Sequence, residues 1–153
     1  MKISLRPARE NDCKLLFDWA NEPEVRNASF NTEKIEWTEH ESWYLEKIKN
    51  PNSFIFIFEV DSDPAGQIRF DRNIEENHFL ISFLLDKKFR GMSLSTSLIA
   101  IATDHLVNKI GKPIDCIGFV KKDNFASQTA FKKNNFTLVS EFENSFKFKK
   151  TIF

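Results

Sequence analysis

Between residues 53 and 120 the spacing of apolar side chains changes period twice, and few folds accommodate both changes. Ser53-Phe54-Ile55-Phe56-Ile57-Phe58-Glu59-Val60 is a dense run of β-formers, closed by the turn Asp61-Ser62-Asp63-Pro64. Gln67-Ile68-Arg69-Phe70-Asp71 alternates, which predicts one buried and one wet face. After a polar turn at 73–77, His78 to Leu85 forms a third strand, so an antiparallel meander is expected. From Leu94 the period becomes helical: Leu94, Leu98, Ile101, Ala102, Leu106 and Ile110 share a stripe that Gly111 and Pro113 end. Ile114–Val120 returns to strand. A helix from about Phe125 to Asn134 and a hairpin of Phe136–Phe142 with Ser145–Ile152 follow. Strand, helix and strand in that order form a crossover, so the expected class is α+β with a mixed, mostly antiparallel sheet of six or seven strands and about four helices.

The first fifty residues add one strand and the remaining helices. Ile3-Ser4-Leu5-Arg6 alternates and meets Pro7. Asn11-Asp12 offers an N-cap to a helix carrying Leu15, Leu16, Trp19 and Ala20. Pro23 restarts a short helix over 24–28, and Glu22 and Arg26 are spaced as an ordinary surface ion pair. The next helix runs from about Thr38 to Lys49, with Thr38 and Glu41 spaced as a capping box and Trp43, Tyr44 and Ile48 as its apolar stripe.

A length of 153 residues fits one domain spanning 1–153. Lys+Arg and Asp+Glu are both 22, so the chain lacks the basic footprint of a nucleic-acid binder. Cys13 and Cys116 stand far apart and read as reduced thiols of a cytoplasmic protein. No apolar run reaches membrane-spanning length, and no signal core follows Met1. His40, His78 and His105 are too scattered for a metal cluster, so no metal is expected.

Lys87-Lys88-Phe89-Arg90-Gly91-Met92-Ser93 runs directly into a helix. A helix N-terminus presents unpaired amides and partial positive charge, which together hold a phosphate group. Gly91 permits close approach, Ser93 and Ser95 add hydroxyls, and Arg90 and the two lysines add charge. The plainer reading is a solvated strand–helix connection. Neither GxxxxGK[ST] nor GxGxxG occurs, which excludes a P-loop and argues against a dinucleotide-binding Rossmann site.

Arg90-Gly91-Met92-Ser93-Leu94-Ser95 resembles the R/Q-x-x-G-x-G/A signature of the GCN5-related N-acetyltransferase (GNAT) family, with serine at both signature glycines. A second segment, Asn124-Phe125-Ala126-Ser127-Gln128-Thr129-Ala130-Phe131-Lys132-Lys133-Asn134-Asn135-Phe136, is similar to the family's N-x-x-S/A-x-x-x-Y/F-x-K-x-G-F. Asn135 stands for the glycine and tolerates the same left-handed backbone. Leu5-Arg6-Pro7-Ala8, Pro23-Glu24-Val25-Arg26, Glu39-His40-Glu41-Ser42-Trp43 and Gly66–Asp71 look like the ribosomal-protein and nucleotide-amino-sugar branches, chiefly bacterial.

The resemblance implies a sheet splayed between its fourth and fifth strands and acetyl-CoA as co-substrate. The pantetheine arm is expected along Phe83, Leu84 and Leu85, with a backbone N–H there stabilising the oxyanion. The diphosphate is expected on Arg90, Gly91, Met92, Ser93, Leu94, Ser95 and Thr96, with Asn124, Ser127 and Phe131 completing the cofactor contacts. Phe131 occupies a position where many members carry the tyrosine that protonates the thiolate; a plain core residue is the alternative. Direct transfer to the amine of an amino sugar, free or nucleotide-linked, is the expected reaction. The alternatives are a protein N-terminus or another small amine, and a non-catalytic acyl-CoA-binding module. Asp71, His78 and Ser82 are the expected catalytic groups, with Glu39 and His40 as further proton acceptors. Arg26, Asn27, Phe30, His40, Trp43 and Arg69 are expected to hold the acceptor. A solvent-facing His40 and a core Trp43 are the competing readings. Exposed edge strands make a homodimer plausible.

Overall fold

A computed structural model describes residues 1–153. The chain forms β1 (Ile3–Pro7), α1 (Cys13–Ala20), α2 (Pro23–Ala28), α3 (Trp37–Lys49), β2 (Ser53–Val60), β3 (Asp63–Asn73), β4 (His78–Leu85), α4 (Leu94–Ile110), β5 (Ile114–Lys121), α5 (Phe125–Lys133), β6 (Thr137–Glu141) and β7 (Ser145–Ile152). All seven strands join one sheet in the order β1-β2-β3-β4-β5-β7-β6. Every neighbouring pair is antiparallel except β4 and β5. The mixed sheet is as the chain pattern predicts; the helices number five rather than four.

β2 is apolar at nearly every position because both its faces are covered. Phe56, Phe58 and Val60 enter the larger core beneath α4, while Ile55 and Ile57 enter a smaller one with Leu16, Trp19 and Tyr44 of α1 and α3. β3 keeps to its alternation: Ile68 and Phe70 face the α4 core, and Gln67, Arg69 and Asp71 take the α3 side.

The crossover leaves a gap. β4 and β5 pair only at Phe79↔Cys116 and Leu80↔Ile117. Beyond those two rungs the strands part, so Ile81–Leu85 has no strand on one side. The N-termini of α4 and α5 border the opening, α5 following β5 after residues 122–124 and α4 following β4 after the longer connection 86–93.

The helix that opens at Trp37 starts earlier than the sequence suggests. Glu36 is the N-cap and makes no side-chain cap bond, so Thr38 lies within the first turn and the expected capping box does not form. Asp12 likewise precedes α1 without capping it. Its carboxylate instead takes two hydrogen bonds from the Arg6 guanidinium, at 2.8 and 2.9 Å, and one from the Arg9 amide at 2.7 Å. Burial works against ionisation of Asp12, but those donors outweigh it and hold the carboxyl below its usual range.

Candidate active site

The gap between β4 and β5 opens into a cleft of about 1110 Å³ that runs from the N-termini of α4 and α5 to the space beneath α1, α2 and α3. On the α4 side it is lined by Phe83, Leu84, Leu85, Gly91, Ser93, Ser95 and Thr96, and on the α5 side by Asn124, Ser127 and Phe131. The two segments singled out in the sequence therefore border one cavity.

At its α4 end the shape of the cleft comes from the backbone. Gly91 (φ 78°) and Ser93 (φ 59°) both lie in the left-handed region, and this turns the chain into α4. Ser93 is the N-cap but makes no side-chain cap bond. Across the opening, the Asn124 side chain caps α5 by accepting from the Ser127 amide at 3.2 Å. Asn135 (φ 64°) adopts the left-handed conformation expected where the signature carries glycine.

Arg90 has a different set of partners from the one expected. Its guanidinium donates to the Leu85 carbonyl at 2.9 Å, to Glu24 at 2.7 Å and to both oxygens of Glu22. Its charge is matched by two carboxylates on and beside α2, not left facing the α4 amides. These hydrogen bonds hold Glu22 below the usual carboxylate range, with burial opposing them. Glu22 and Arg26, spaced as a pair in sequence, do not meet. Arg26 donates to the carbonyls of Ala20 (2.6 Å), Asn31 (2.9 Å) and Glu33 (3.2 Å) and so braces the loop after α2. Lys121 at the end of β5 donates to the Asn27 carbonyl at 2.9 Å. α2 is thus tied to both halves of the sheet, through Arg90 and through Lys121. Neither Asn27 nor Met92 lines the cleft, contrary to expectation.

Phe131 is buried. It stacks on Phe148 with centroids 5.6 Å apart and planes at 10°, and it meets Phe83 edge-on at 5.7 Å. It therefore acts as core while one part of it walls the cleft.

The expected catalytic groups separate. Ser82 lines the cleft, and Arg69 Nη2 approaches its hydroxyl at 3.5 Å. Asp71 does not line it. Its carboxylate accepts from Lys47 (3.0 Å), Ser53 (2.7 Å) and Arg69 (2.7 Å). Burial disfavours its charge, but Arg69, Ser53 and Lys47 together keep it well ionised, so it is a poor proton acceptor. His78, at the start of β4, lies outside the cleft and approaches Glu76 at 3.5 Å. Both are removed from the catalytic set by placement.

At its other end, beneath α1, α2 and α3, the cleft is lined by Phe30, Glu39, His40, Trp43, Gln67 and Arg69. Arg69 lies 4.9 Å over the Trp43 ring while it pairs with Asp71. His40 is not solvent-facing; it is 4% exposed. It sits among Phe17, Trp37, Trp43 and Tyr44, stacking on Tyr44 at 10°. The sequence offers Glu22 only as a partner for Arg26, and names none of Gln67, Glu24 and Lys121 as a site residue. Gln67 shares the strand face of Arg69, a signal that alternation carries; the Glu22–Arg90 pairing spans 68 residues and leaves none.

An acetyltransferase (GNAT) domain model matches residues 2–137. No curated protein matches the chain. Solved structures share its fold at low identity. The aminoglycoside acetyltransferase AAC(6')-Ib, in complex with ribostamycin and coenzyme A, is 15% identical with a TM-score of 0.85, covering 99% of this chain and 94% of that one. RimL, a ribosomal L7/L12 α-N-protein acetyltransferase in complex with coenzyme A, is 15% identical with a TM-score of 0.84, covering 99% and 95%. Spermidine N-acetyltransferase from Vibrio cholerae, in complex with CoA and spermine, is 14% identical with a TM-score of 0.84, covering 97% and 95%.

Proposed function

The chain belongs to the GNAT acetyltransferase family, and from that premise we propose that it transfers acetyl from acetyl-CoA to the primary amine of an amino sugar by direct attack in a ternary complex. The observation that supports this most is the two-rung contact between β4 and β5. The free backbone edge of Ile81–Leu85 can pair with the amides of a pantetheine arm. A backbone N–H near Leu84 or Leu85 can meet the oxyanion formed on attack. Gly91, Ser93, Leu94, Ser95 and Thr96 receive the diphosphate on main-chain N–H groups.

The charge of the acceptor side narrows the acceptor. Arg26 is committed to three carbonyls and Arg69 to Asp71, so neither cation is free for a nucleotide diphosphate. Glu39 makes no ion pair and suits an ammonium group, and Trp43 and Phe30 offer apolar faces to a sugar ring. An amino sugar without a phosphate fits this lining better than a nucleotide-linked one.

Titration calorimetry with acetyl-CoA and a thiol-release assay with glucosamine, kanamycin, spermine, an N-terminal peptide and UDP-linked glucosamine test the reading. Binding of acetyl-CoA and fastest release with an unphosphorylated amino sugar are expected. Fastest release with the peptide or the nucleotide sugar overturns the acceptor assignment. Binding without release on any amine leaves a non-catalytic acyl-CoA-binding module.

A further inference from the structure

His40 forms one side-chain hydrogen bond, from Nε2 to the Cys13 carbonyl oxygen at 2.9 Å. A carbonyl can only accept, so Nε2 carries the ring proton and Nδ1 holds a lone pair. That assignment follows from the partner. Nδ1 has no partner of its own, and Arg72 Nε is the one buried side-chain nitrogen or oxygen left without one. Nδ1 is therefore not sealed off as Arg72 Nε is, and the cleft is the cavity that His40 lines.

The surroundings hold the ring in place and keep it uncharged. Phe17 of α1 and Trp37, Trp43 and Tyr44 of α3 pack around it. The titratable groups against it are Cys13 on α1 and Tyr44 on α3, and burial raises both, so both are neutral. Across the cleft β3 presents Arg69, whose charge is matched by Asp71, and Glu39 lines the same wall from α3. Burial lowers the imidazole below its ordinary 6.5, with the Cys13 hydrogen bond acting the other way. A neutral imidazole with its tautomer set by a backbone carbonyl is a preformed base.

We propose that His40 Nδ1 takes the proton released by the acceptor amine, directly or through one water. This rests on the transferase reading above. The neutral amine attacks the thioester carbonyl, an N–C bond forms, and the nitrogen of the tetrahedral adduct becomes cationic. That N–H is far more acidic than the free ammonium, so an imidazole of low basicity suffices to take its proton. The C–S bond then breaks with its electron pair on sulfur. The thiolate takes a proton from solvent, and the imidazolium returns its own to solvent.

His40→Gln tests the assignment, because the glutamine amide can still donate to the Cys13 carbonyl but offers no basic nitrogen. With the fastest amine of the panel at saturation, kcat is expected to fall roughly 10²–10⁴-fold. The rising acid limb of the kcat profile, with its midpoint below 6.5 in the wild type, disappears. Acetyl-CoA affinity and melting temperature stay close to wild type. Added imidazole restores turnover to His40→Ala, which a packing role would not permit. ¹⁵N NMR of the wild-type ring shows the Nε2–H tautomer. Wild-type kcat in His40→Gln, an unchanged acid limb, or a proton on Nδ1 overturns the assignment alone. Acetyl-CoA binding with no transfer to any amine overturns the transferase reading and the base with it.

Discussion

The tip of the Phe131 ring abuts Gly118 so closely that a Cβ built on Gly118 would lie 2.3 Å from Phe131 Cζ. The para carbon of the ring thus points at a strand that has no side chain there. A tyrosine hydroxyl would project from that carbon into the β5 backbone.

Phe131→Tyr is therefore expected to destabilise the protein by about 1–3 kcal/mol through overpacking, not to supply a proton donor. At about 2–4 °C per kcal/mol for a chain of this size, calorimetry resolves the loss. Gly118→Ala should have the same sign. A Phe131→Tyr protein with unchanged melting temperature would show that the pocket yields.

Ser93 holds a left-handed backbone without the relief of a side-chain cap bond. Ser93→Gly removes a strain of about 1–2 kcal/mol and returns part of it as unfolded-chain entropy, leaving a net gain of about 0.5–1 kcal/mol. Acetyl-CoA affinity should hold in Ser93→Gly and fall in Ser93→Glu, where a carboxylate meets the diphosphate. Calorimetric binding to the three proteins checks both arms.

Arg90 cannot serve Glu22, Glu24 and a phosphate equally. In Glu22→Gln/Glu24→Gln the guanidinium is released, and the acetyl-CoA dissociation constant should drop by up to about tenfold, equivalent to about 1.4 kcal/mol. The pH dependence follows from the lowered Glu22. A carboxyl whose folded value lies below its unfolded 4.5 contributes stability above 4.5, and that contribution fades as pH falls through the folded value. Urea midpoints of wild type and Glu22→Gln should thus differ at pH 6 and converge as the pH drops well below 4.5.

Asp71 gathers Lys47, Ser53 and Arg69, so Asp71→Asn should cost about 1–3 kcal/mol of stability by leaving two part-buried cations short of a counter-charge. Its acid limb should match that of the wild type. A lost limb would restore Asp71 as the base.

Periodicity found the strands and the long α4, since each depends on a local pattern, alternation or a 3.6-residue stripe; the left-handed Asn135 came from the resemblance, in which it stands for a signature glycine. Periodicity misjudged His40. On α3 alone, His40 reads as one polar residue among Glu39 and Glu41, and only α1 folding across it makes it a buried ring. The spacing of His40 and Tyr44, four apart on one stripe, was the available signal. Asp71 and Arg90 were misread for a related reason. Charge is plain in a sequence, but the partner that neutralises it, Lys47 or Glu22, is set by tertiary approach.

Two rungs of hydrogen bonds cannot by themselves hold the four-stranded and three-stranded parts of the sheet at a set separation. That task falls to α4, whose Leu98, Ala102 and Leu106 pack in the same core as Phe56 and Ile81 on one side and Cys116 and Phe148 on the other. The width of the opening is therefore governed by side-chain volumes buried beneath the sheet, and trimming Leu98 or Leu106 would alter which thioesters fit as much as how firmly the chain is folded.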